Sequence, residues 1–350
     1  MNKIATIQKV TNVRNHLNAD SLDLCNILGW QVVIKRGEFG EGALCVYIPI
    51  DSVLPEKPEF EFLRQKDFRI RTVKLRGQIS QGICFPLSIL PTQICDIKMN
   101  MLENGLPNPT FVGWTEGWDV TELVGATHYE KPLPAELVGK AIGGFPGWLR
   151  ITDELNIKSY PVILDEMRGR PYYITRKDDG QSGTYFLKDG VFGVCSRKLQ
   201  LADDGNGYWT MAHKYDLEAR MRSWFGGGDI AVQGEVCGPG IQKNKLGLKE
   251  KELHLFNLVD SKTREYMSFE KLRDFCEFSH IPMVTQIDAG LLFIYDLPYL
   301  QNLANNLKYP NGSAAEGIVI RPMEYVYSPT TEWALSGKVV SEVFQVKHEE

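Results

Sequence analysis

The two halves of the sequence differ in how strands and helices are distributed along the chain. From residue 4 to about residue 90, short apolar runs alternate with Gly and Pro. Short strands at fairly regular spacing predict a small β-barrel. The candidate strands are residues 30–34, 44–48, 69–76 and 82–85.

Beyond residue 145 the pattern mixes strands with helices. Residues 171–175 and 190–194 have the composition of strands, whereas residues 213–224 and 268–279 have helical spacing with charged outer positions. The second half is therefore expected to have an α+β fold.

A segment rich in Pro and Gly separates the two patterns. It runs from about residue 92 to residue 146, and its composition is typical of a linker with docking segments. A chain of 350 residues is also too long for one typical core. We therefore expect two domains, spanning residues 1–130 and 131–350.

Composition narrows the class of protein. No run of eighteen apolar residues and no cleavable apolar leader occurs, so we expect a soluble, unsecreted protein with no membrane partner. The seven cysteines are scattered singly, which favours a reducing intracellular compartment, cytoplasmic or nuclear, over a disulfide framework or a thiolate metal site. They are Cys25, Cys45, Cys84, Cys95, Cys195, Cys237 and Cys276.

The first half contains a strongly basic segment, although the formal net charge of the chain is −5. Its basic residues are Arg64, Lys66, Arg69, Arg71, Lys74 and Arg76. In one unbroken strand, the first and second halves of 69–76 would present their charges on opposite faces, so a bend is needed to align them. Such a segment is either a nucleic-acid contact, with stacking aromatics from Trp30, Phe60, Phe62 and Phe68, or a solvated edge strand.

The most informative stretch of the second half surrounds Lys177. A lysine attacks phosphorus only as the neutral amine, so we expect burial or nearby cations to lower its pKa. Lys177 ends a predicted strand and is followed by Asp178, Asp179 and Gly180, a turn that lets a phosphate approach the backbone closely. Taken alone, Lys-x-Asp-Gly is also typical of a solvated hairpin.

Other nucleotide chemistries lack their motifs. The six histidines include no pair at metal-ligand spacing, and neither GxxxxGK[ST] nor GxGxxG occurs. These absences argue against zinc, kinase and dehydrogenase chemistry.

Further motif segments follow Lys177 in order. They are Ser196-Arg197, Gln233 to Gln242, Leu255 to Asp260, Glu316 to Arg321, and Gly337 to Val340 with Lys347. This series resembles the ordered motifs of the covalent nucleotidyltransferase superfamily, and most closely its ATP-dependent RNA ligases. The first half, through residues 18–23, 29–33 and 75–82, resembles the OB-fold domain that precedes the catalytic domain in one branch of these ligases.

The resemblance implies an N-terminal OB-fold β-barrel followed by an adenylyltransferase domain of antiparallel sheets with flanking helices. It also implies roles for individual residues. Lys177 would attack ATP and carry covalent AMP, Arg197 would contact the ribose or the 5′-phosphate of the acceptor, and Glu235 would bind the ribose hydroxyls. Phe256 would stack on the adenine, although its apolar neighbours also suit a core residue.

The remaining implied roles concern charge. Glu316 would bind Mg²⁺ or Mn²⁺, since a carboxylate oxygen is a ligand that these ions prefer. Lys338 would contact the AMP phosphate as pyrophosphate leaves, and Lys347 would act similarly, although a lysine so near the C-terminus is as often solvated. In the barrel, Arg69, Arg71, Lys74 and Arg76 would bind nucleic acid.

Two positions depart from the family pattern. Relatives commonly have two lysines separated by one residue in the last motif, whereas here Val340 takes the second position. The residue before the nucleophile is often acidic, but here it is Arg176. We expect Arg176 to lower the pKa of Lys177 only slightly, because alternation along a strand directs it to the other face.

The implied function is nick sealing in RNA repair, by a monomer acting on RNA or an RNA-containing duplex with a break. DNA ligase and capping-type guanylyltransferase share the lysyl-nucleotide step, but both usually carry the OB module after the catalytic half. A nucleic-acid-binding OB-fold protein with an inactive second domain is the non-enzymatic alternative.

Overall fold

The computed structural model describes residues 3–90, 114–130, 137 and 139–348. Contacts divide the chain into two compact units, Met1–Lys131 with Val346–Glu350, and Pro132–Gln345. The predicted boundary near residue 130 stays a prediction, because much of the proposed linker lies outside the described residues. Cys95 also lies outside them, whereas the other six cysteines are buried and free.

The first unit is built from short antiparallel strands. The strands are β1 Thr6–Lys9, β2 Thr11–Asn15, β3 Leu22–Ile27, β4 Trp30–Lys35, β5 Leu44–Ile48, β6 Ser52–Val53, β7 Arg69–Ile70, β8 Thr72–Leu75, β9 Gln78–Gln81, β10 Ile83–Phe85 and β11 Thr127–His128. They form sheets with the orders β1-β5-β10, β2-β3-β4, β8-β9 and β11-β6-β7. The helical segments are the 3₁₀ turns Pro58–Lys66 and Leu87–Ile89 and the short helix α1, Thr121–Val124.

One apolar core fills the first unit and includes most of the aromatic residues proposed for stacking. Trp30, Phe60 and Phe68 are buried in it. Phe62 is 63% exposed and is the member of the set that remains accessible. For the three buried rings, core packing is therefore the correct interpretation.

The basic segment forms two short strands instead of the one that was predicted. The predicted strand 69–76 is divided into β7 and β8, and Arg71 lies between them. Short strands of this kind change direction easily, because each is paired with a different partner strand, β6 for β7 and β9 for β8.

The second unit contains two larger antiparallel sheets. The six-stranded sheet has the order β12-β16-β15-β14-β17-β18, formed by β12 Ala141–Gly144, β14 Gln181–Lys188, β15 Val191–Cys195, β16 Leu199–Leu201, β17 Ile230–Cys237 and β18 Glu252–Asp260. The four-stranded sheet has the order β19-β13-β20-β23, formed by β13 Tyr172–Lys177, β19 Gln286–Gly290, β20 Gly317–Pro322 and β23 Gly337–Val340. The small ribbon β21–β22 pairs Tyr327–Ser328 with Trp333–Ala334.

Helices cover both sheets of the second unit. They are α2 Val162–Met167, α3 Gly207–Lys214, α4 Leu217–Phe225, α5 Phe269–Ser279, α6 Leu297–Asn306 and α7 Glu342–His348, with a 3₁₀ turn at Gln242–Asn244. Helices α3, α4 and α5 contribute to the core of the six-stranded sheet, whereas α2 and α6 contribute to that of the four-stranded sheet. The predicted α+β fold is thus observed. Within the described ranges, no helix combines the length and the apolar character needed to cross a bilayer.

The two predicted helices have different outcomes. The prediction for residues 268–279 is confirmed, with Ser268 as the N-cap of α5. The single helix predicted for 213–224 is wrong. Asp216 adopts a left-handed conformation with φ 45°, which separates α3 from α4, and α3 begins earlier because the Asn206 side chain caps it.

The core of the first unit requires glycine at residue 82. Gly82 has φ +100°, and a Cβ there would lie 2.5 Å from the Tyr47 ring and 2.8 Å from the Ile48 carbonyl oxygen. We expect Gly82→Ala to destabilise this unit by about 3 kcal/mol, since strain at positive φ adds to overpacking.

Hydrogen exchange resolved to peptides of the first unit measures this loss. Gly42→Ala is the matched control, because Gly42 also has a positive φ of +80° but has open space around it. It should cost only about 1 kcal/mol. Equal losses in the two variants would contradict the packing explanation.

Candidate active site

The pairing of two strands brings Lys177 beside Glu316. Lys177 is the last residue of β13 and lies opposite Gly317, the first residue of β20. Glu316 directly precedes that residue, so its side chain emerges next to the lysine. Lys177 Nζ donates to Glu316 Oε2 at 2.7 Å, and the two side chains are only 25% and 19% exposed. The sequence prediction that these residues share one site is consistent with this geometry.

The turn after Lys177 connects the nucleophile strand to Glu235. Ser182 of β14 lies opposite Glu235 of β17, and the Gly180 N–H donates to Glu235 Oε1 at 3.2 Å. A Cβ at Gly180 would collide with the Val236 carbonyl oxygen and with the Glu235 side chain. The glycine of the Lys-x-Asp-Gly pattern is therefore needed for this close approach.

The charge state of Lys177 differs from the prediction. Burial alone would lower the pKa of Lys177, but the carboxylates of Glu316 and Glu235 raise it well above its ordinary value. The prediction of a lowered pKa is therefore wrong for the site without nucleotide. The neighbouring Arg176 is not among the main influences, because its guanidinium is paired with Asp178.

The pKa of Glu235 is raised as well, which in a carboxyl group favours the neutral form. Burial raises the pKa of Glu235 to about 8, and the charges of Glu316, Asp178 and Asp179 add to the effect while Lys177 opposes it. The site thus concentrates carboxylates around one ammonium group.

Asp153 joins Arg197, predicted to contact the ribose or the 5′-phosphate of the acceptor, to Lys338, predicted to contact the AMP phosphate. Arg197 Nη2 donates to Asp153 Oδ2 at 2.8 Å, and Lys338 Nζ donates to Asp153 Oδ1 at 3.2 Å. Burial alone would raise the pKa of Asp153, but Lys338 and Arg197 hold it below its ordinary value. Sequence analysis missed Asp153, because it lies outside the regular elements and belongs to no motif.

Phe256 lies on β18 with one face near a buried arginine. The Phe256 side chain is half-buried, and the Arg321 guanidinium carbon is 5.7 Å from the ring centroid. Arg321 is itself held by a hydrogen bond to Glu154. The ring therefore has both a fixed support and an accessible portion, which a simple core residue would lack.

A buried ionic network lies beneath the nucleophile. Asp178 accepts hydrogen bonds from Arg176 Nε at 2.6 Å and from His254 Nδ1 at 2.6 Å, and its side chain is fully buried. The other ring nitrogen of His254 lies 3.1 Å from Glu252. Because both ring nitrogens face carboxylates, the imidazolium form satisfies both contacts. This network links β13 to β18 and was not predicted, since it joins residues 76 positions apart.

Comparisons with known proteins agree with this geometry. The RNA ligase family model matches residues 170–340, and a model described as an OB-fold domain matches residues 4–87. The chain therefore combines an N-terminal OB-fold domain with an RNA ligase domain.

Solved structures of Naegleria gruberi RNA ligase are similar to nearly the whole chain. An apo aspartate mutant has a TM-score of 0.83 at 26% identity and covers 99% of this chain and 98% of its own. The complex with PPi has a TM-score of 0.81 at 26% identity, with 100% and 99% covered. A lysine mutant with ATP and Mn has a TM-score of 0.82 at 26% identity, with 99% of each chain covered. The comparison with curated proteins found no match to this chain. The predicted fold, an OB-fold followed by a ligase domain, is confirmed.

The nucleic-acid contacts predicted for the OB-fold unit differ in accessibility. Arg69 donates to Asp51 at 2.6 Å and lies 3.6 Å from the centroid of the Tyr129 ring. Lys74 and Arg76 are exposed, and no ion pair of either is found within the described ranges. Arg71 lies between these extremes, because it is half-buried and its Nε has no partner.

Lys347 is exposed on the last turn of α7, among the residues grouped with the first unit. The polar contacts described above do not include it. Its proposed role at the nucleotide stays a prediction.

The carboxylates of the site suit a metal ion whose remaining ligands are supplied by the phosphates of the substrate and by water. Among the described residues, no group of three or more His, Cys, Asp or Glu side chains is arranged to hold an ion. Mg²⁺ is usually bound by one or two carboxylates together with phosphate oxygens and water. Glu316, whose carboxylate already binds a cation in Lys177, fits such a site.

The ionic network predicts a specific dependence of stability on pH. Burial disfavours the imidazolium, but Asp178 and Glu252 raise the pKa of His254 above 6.5. The stability that the His254 imidazolium contributes is therefore fully present below pH 6.5 and is lost as the pH rises through the raised pKa of His254. Burial would raise the pKa of Asp178, but the hydrogen bonds from His254 and Arg176 outweigh burial and hold this pKa below 3.8. The stabilisation that ionised Asp178 contributes is therefore lost only as the pH falls through the lowered pKa.

We expect His254→Gln to make the decline of the unfolding free energy above pH 6.5 shallower than in the wild type. The decline should not vanish, because Glu235, with a pKa of about 8, titrates in the same range. Urea unfolding at a series of pH values measures both slopes. His213→Gln, at an exposed histidine paired with Asp203, should keep the wild-type slope, and an unchanged slope in His254→Gln would contradict the network.

Proposed function

We propose that this chain is an ATP-dependent RNA ligase that seals a break between a 3′-hydroxyl and a 5′-phosphate through a lysyl-AMP intermediate. The observation that carries the proposal is the 2.7 Å contact between Lys177 Nζ and Glu316 within an RNA ligase domain. It unites the nucleophile and the proposed metal ligand at one point. A lysine mutant of Naegleria gruberi RNA ligase was solved with ATP and Mn, which supports these two ligands for the chain.

The first step forms a bond between Lys177 Nζ and the α-phosphorus of ATP. The ammonium group first loses one proton to water to give the neutral amine. As the nitrogen bonds to phosphorus, the bond from that phosphorus to the bridging oxygen breaks, pyrophosphate leaves, and the nitrogen loses a second proton to water. Mg²⁺ or Mn²⁺, held by Glu316, would neutralise charge on the phosphate oxygens. Glu316 also affects the amine, because its charge and hydrogen bond are among the interactions that raise the pKa of Lys177, and a metal ion on this carboxylate would weaken them.

Arg197 and Lys338 are arranged to receive the phosphate. In the site without nucleotide, both cations bind the carboxylate of Asp153, which like a phosphate offers two oxygen atoms to two donors. A phosphate group could take the place of Asp153 as the shared partner of Arg197 and Lys338, whose side chains are 51% and 23% exposed. The preformed pair supplies the charge stabilisation that phosphoryl transfer requires.

Glu235 and Phe256 would hold the nucleoside. The Glu235 carboxyl group, fixed by the Gly180 N–H at 3.2 Å, has further lone pairs for the ribose hydroxyls. The Phe256 ring, supported near Arg321 at 5.7 Å, would stack on the adenine. AMP would then pass to the 5′-phosphate of the break, and the 3′-hydroxyl would displace it to form the phosphodiester.

The OB-fold unit would bind the RNA-containing strand. Lys66, Arg71 and Lys74 line a cavity of about 330 Å³ together with Thr72. A concave basic surface suits the phosphate backbone, which supplies most of the affinity in such contacts. We propose that the chain acts as a monomer in a reducing intracellular compartment.

Nicked duplexes test the reaction. Wild type with ATP and Mg²⁺ should seal nicks with RNA termini faster than all-DNA nicks, and Lys177→Ala should not seal them. Lys177→Ala should still act on a nick whose 5′ end is already adenylylated, because the lysine is needed only to activate AMP. Lys188→Ala is the matched control, since Lys188, like Lys177, ends a strand and pairs with a carboxylate, that of Asp229 at 2.6 Å.

Two results would oppose the proposal. Sealing by Lys177→Ala at the wild-type rate would refute the assignment of the nucleophile. Equal rates on all-DNA and RNA nicks would instead favour a DNA ligase.

The exposed cations of the OB-fold unit predict a salt effect. Replacing Lys74 and Arg76 by Ala should weaken binding to nicked RNA and reduce the slope of log affinity against log salt by about 2, one for each phosphate that the protein no longer neutralises. Replacing Lys9 and Arg64, whose charges are paired with glutamates, should leave the slope unchanged. Filter binding at several salt concentrations measures the slopes, and identical slopes in both double variants would exclude this surface.

A further inference from the structure

Tyr309 uses one hydroxyl group to join the two sides of the active site. The hydroxyl accepts hydrogen bonds from the Asp179 N–H at 3.0 Å and the Glu316 N–H at 3.2 Å. It donates to the Lys177 carbonyl oxygen at 3.1 Å. A phenol has one donor hydrogen and two acceptor lone pairs, so these contacts use its full capacity. Tyr309 is only 2% exposed.

The position of the Tyr309 hydroxyl is fixed from both ends of its side chain. Its backbone belongs to a tight turn between α6 and β20, in which the Tyr309 N–H donates to the Ser313 carbonyl at 2.8 Å and the Gly312 N–H donates to the Tyr309 carbonyl at 2.9 Å. The ring lies against Arg176, whose guanidinium carbon is 5.0 Å from the ring centroid. A buried ring with these constraints cannot easily turn its hydroxyl elsewhere.

The three contacts hold the segment around Lys177 against the residue that starts the facing strand. Lys177 and Glu316 are 139 residues apart in sequence, so their separation depends on tertiary contacts. The strand pairing of Lys177 with Gly317 ends at this point, and the turn through Asp179 continues beyond it. Tyr309 therefore extends the constraint past the end of the sheet.

We propose that Tyr309 is a positioning residue for the adenylylation of Lys177, which fixes the nucleophile relative to Glu316. This inference rests on the proposed function. Tyr309 contacts neither reacting atom, so its effect passes through the backbone of the residues that do. Loss of the hydroxyl should impair the chemical step more than nucleotide binding, because Glu235 and Phe256 lie on other strands.

The test compares Tyr309→Phe with Tyr172→Phe in the full chain. Both remove a hydroxyl from a buried tyrosine, and Tyr172, at the opposite end of the nucleophile strand, donates to Asp288 at 2.8 Å. The rate of AMP transfer to Lys177 at saturating ATP should fall about 100-fold in Tyr309→Phe, as for a misplacement of about 1 Å. The KM for ATP should change by less than about threefold. Tyr172→Phe should keep the wild-type rate.

The structural link has its own measurement. Amide exchange of Asp179 and Glu316 should be slow in the wild type and faster in Tyr309→Phe, while remaining slow in Tyr172→Phe. If Tyr309→Phe does not fold, the wild-type amides decide the question: slow exchange at both supports the link, and exchange at the rate of an open chain overturns it.

Three kinetic outcomes separate the inference from the proposed function. If the wild type is labelled with AMP and Tyr309→Phe is labelled at the same rate, the positioning role is overturned and the proposed function stands. An equal fall in Tyr172→Phe and Tyr309→Phe also overturns it, because the loss would then reflect general destabilisation. No AMP on the wild type at all would overturn the proposed function itself, and this inference with it.

Discussion

The ion pair between Lys177 and Glu316 is the contact on which the site depends. It exists because β13 and β20 pair antiparallel and end at the same level, which puts the last residue of one strand beside the residue preceding the other. In the free site this pair stabilises the ammonium form of Lys177. The carboxylate that stabilises the ammonium form is also the one proposed to bind a divalent ion, so under the proposed function a change in the partner of Glu316 would accompany formation of the neutral amine.

A second layer of contacts supports this pair. Asp178 is buried between Arg176 and His254, while Asp179 binds Lys245 at 2.5 Å. Both aspartates belong to the turn that follows Lys177, and both of their side chains are shielded from solvent. Leaving one such buried charge without its partner is costly, so these pairs restrict the turn to one conformation. Such a restriction suits a reaction that depends mainly on positioning.

Sequence reasoning predicted what depends on local pattern or on ordered motifs. The ordered motifs point to Lys177, Glu235 and Glu316 as candidates for one site, and helical spacing predicts α5. It failed where a distant partner decides the outcome. Asp153 becomes informative only when Arg197 and Lys338 are brought to it, and the raised pKa of Lys177 depends on a glutamate 139 residues away.

Local backbone conformation limited the predictions in a different way. The division of the predicted helix at Asp216 requires a left-handed residue that helical spacing does not reveal. The break at Arg71 is likewise not predicted, because the pattern indicates one strand over 69–76 and a bend is needed only if all its charges are to lie on one face. The burial of Trp30, Phe60 and Phe68 could not be separated from stacking roles by composition, since aromatic rings suit both a core and a base.

The central claim is that Lys177 becomes covalently bonded to AMP, and peptide mass spectrometry after incubation with ATP and Mg²⁺ tests it most directly. The account predicts a gain of one AMP, located in the peptide that contains Lys177. An unchanged mass of the wild type, or AMP attached to a different residue, would contradict it.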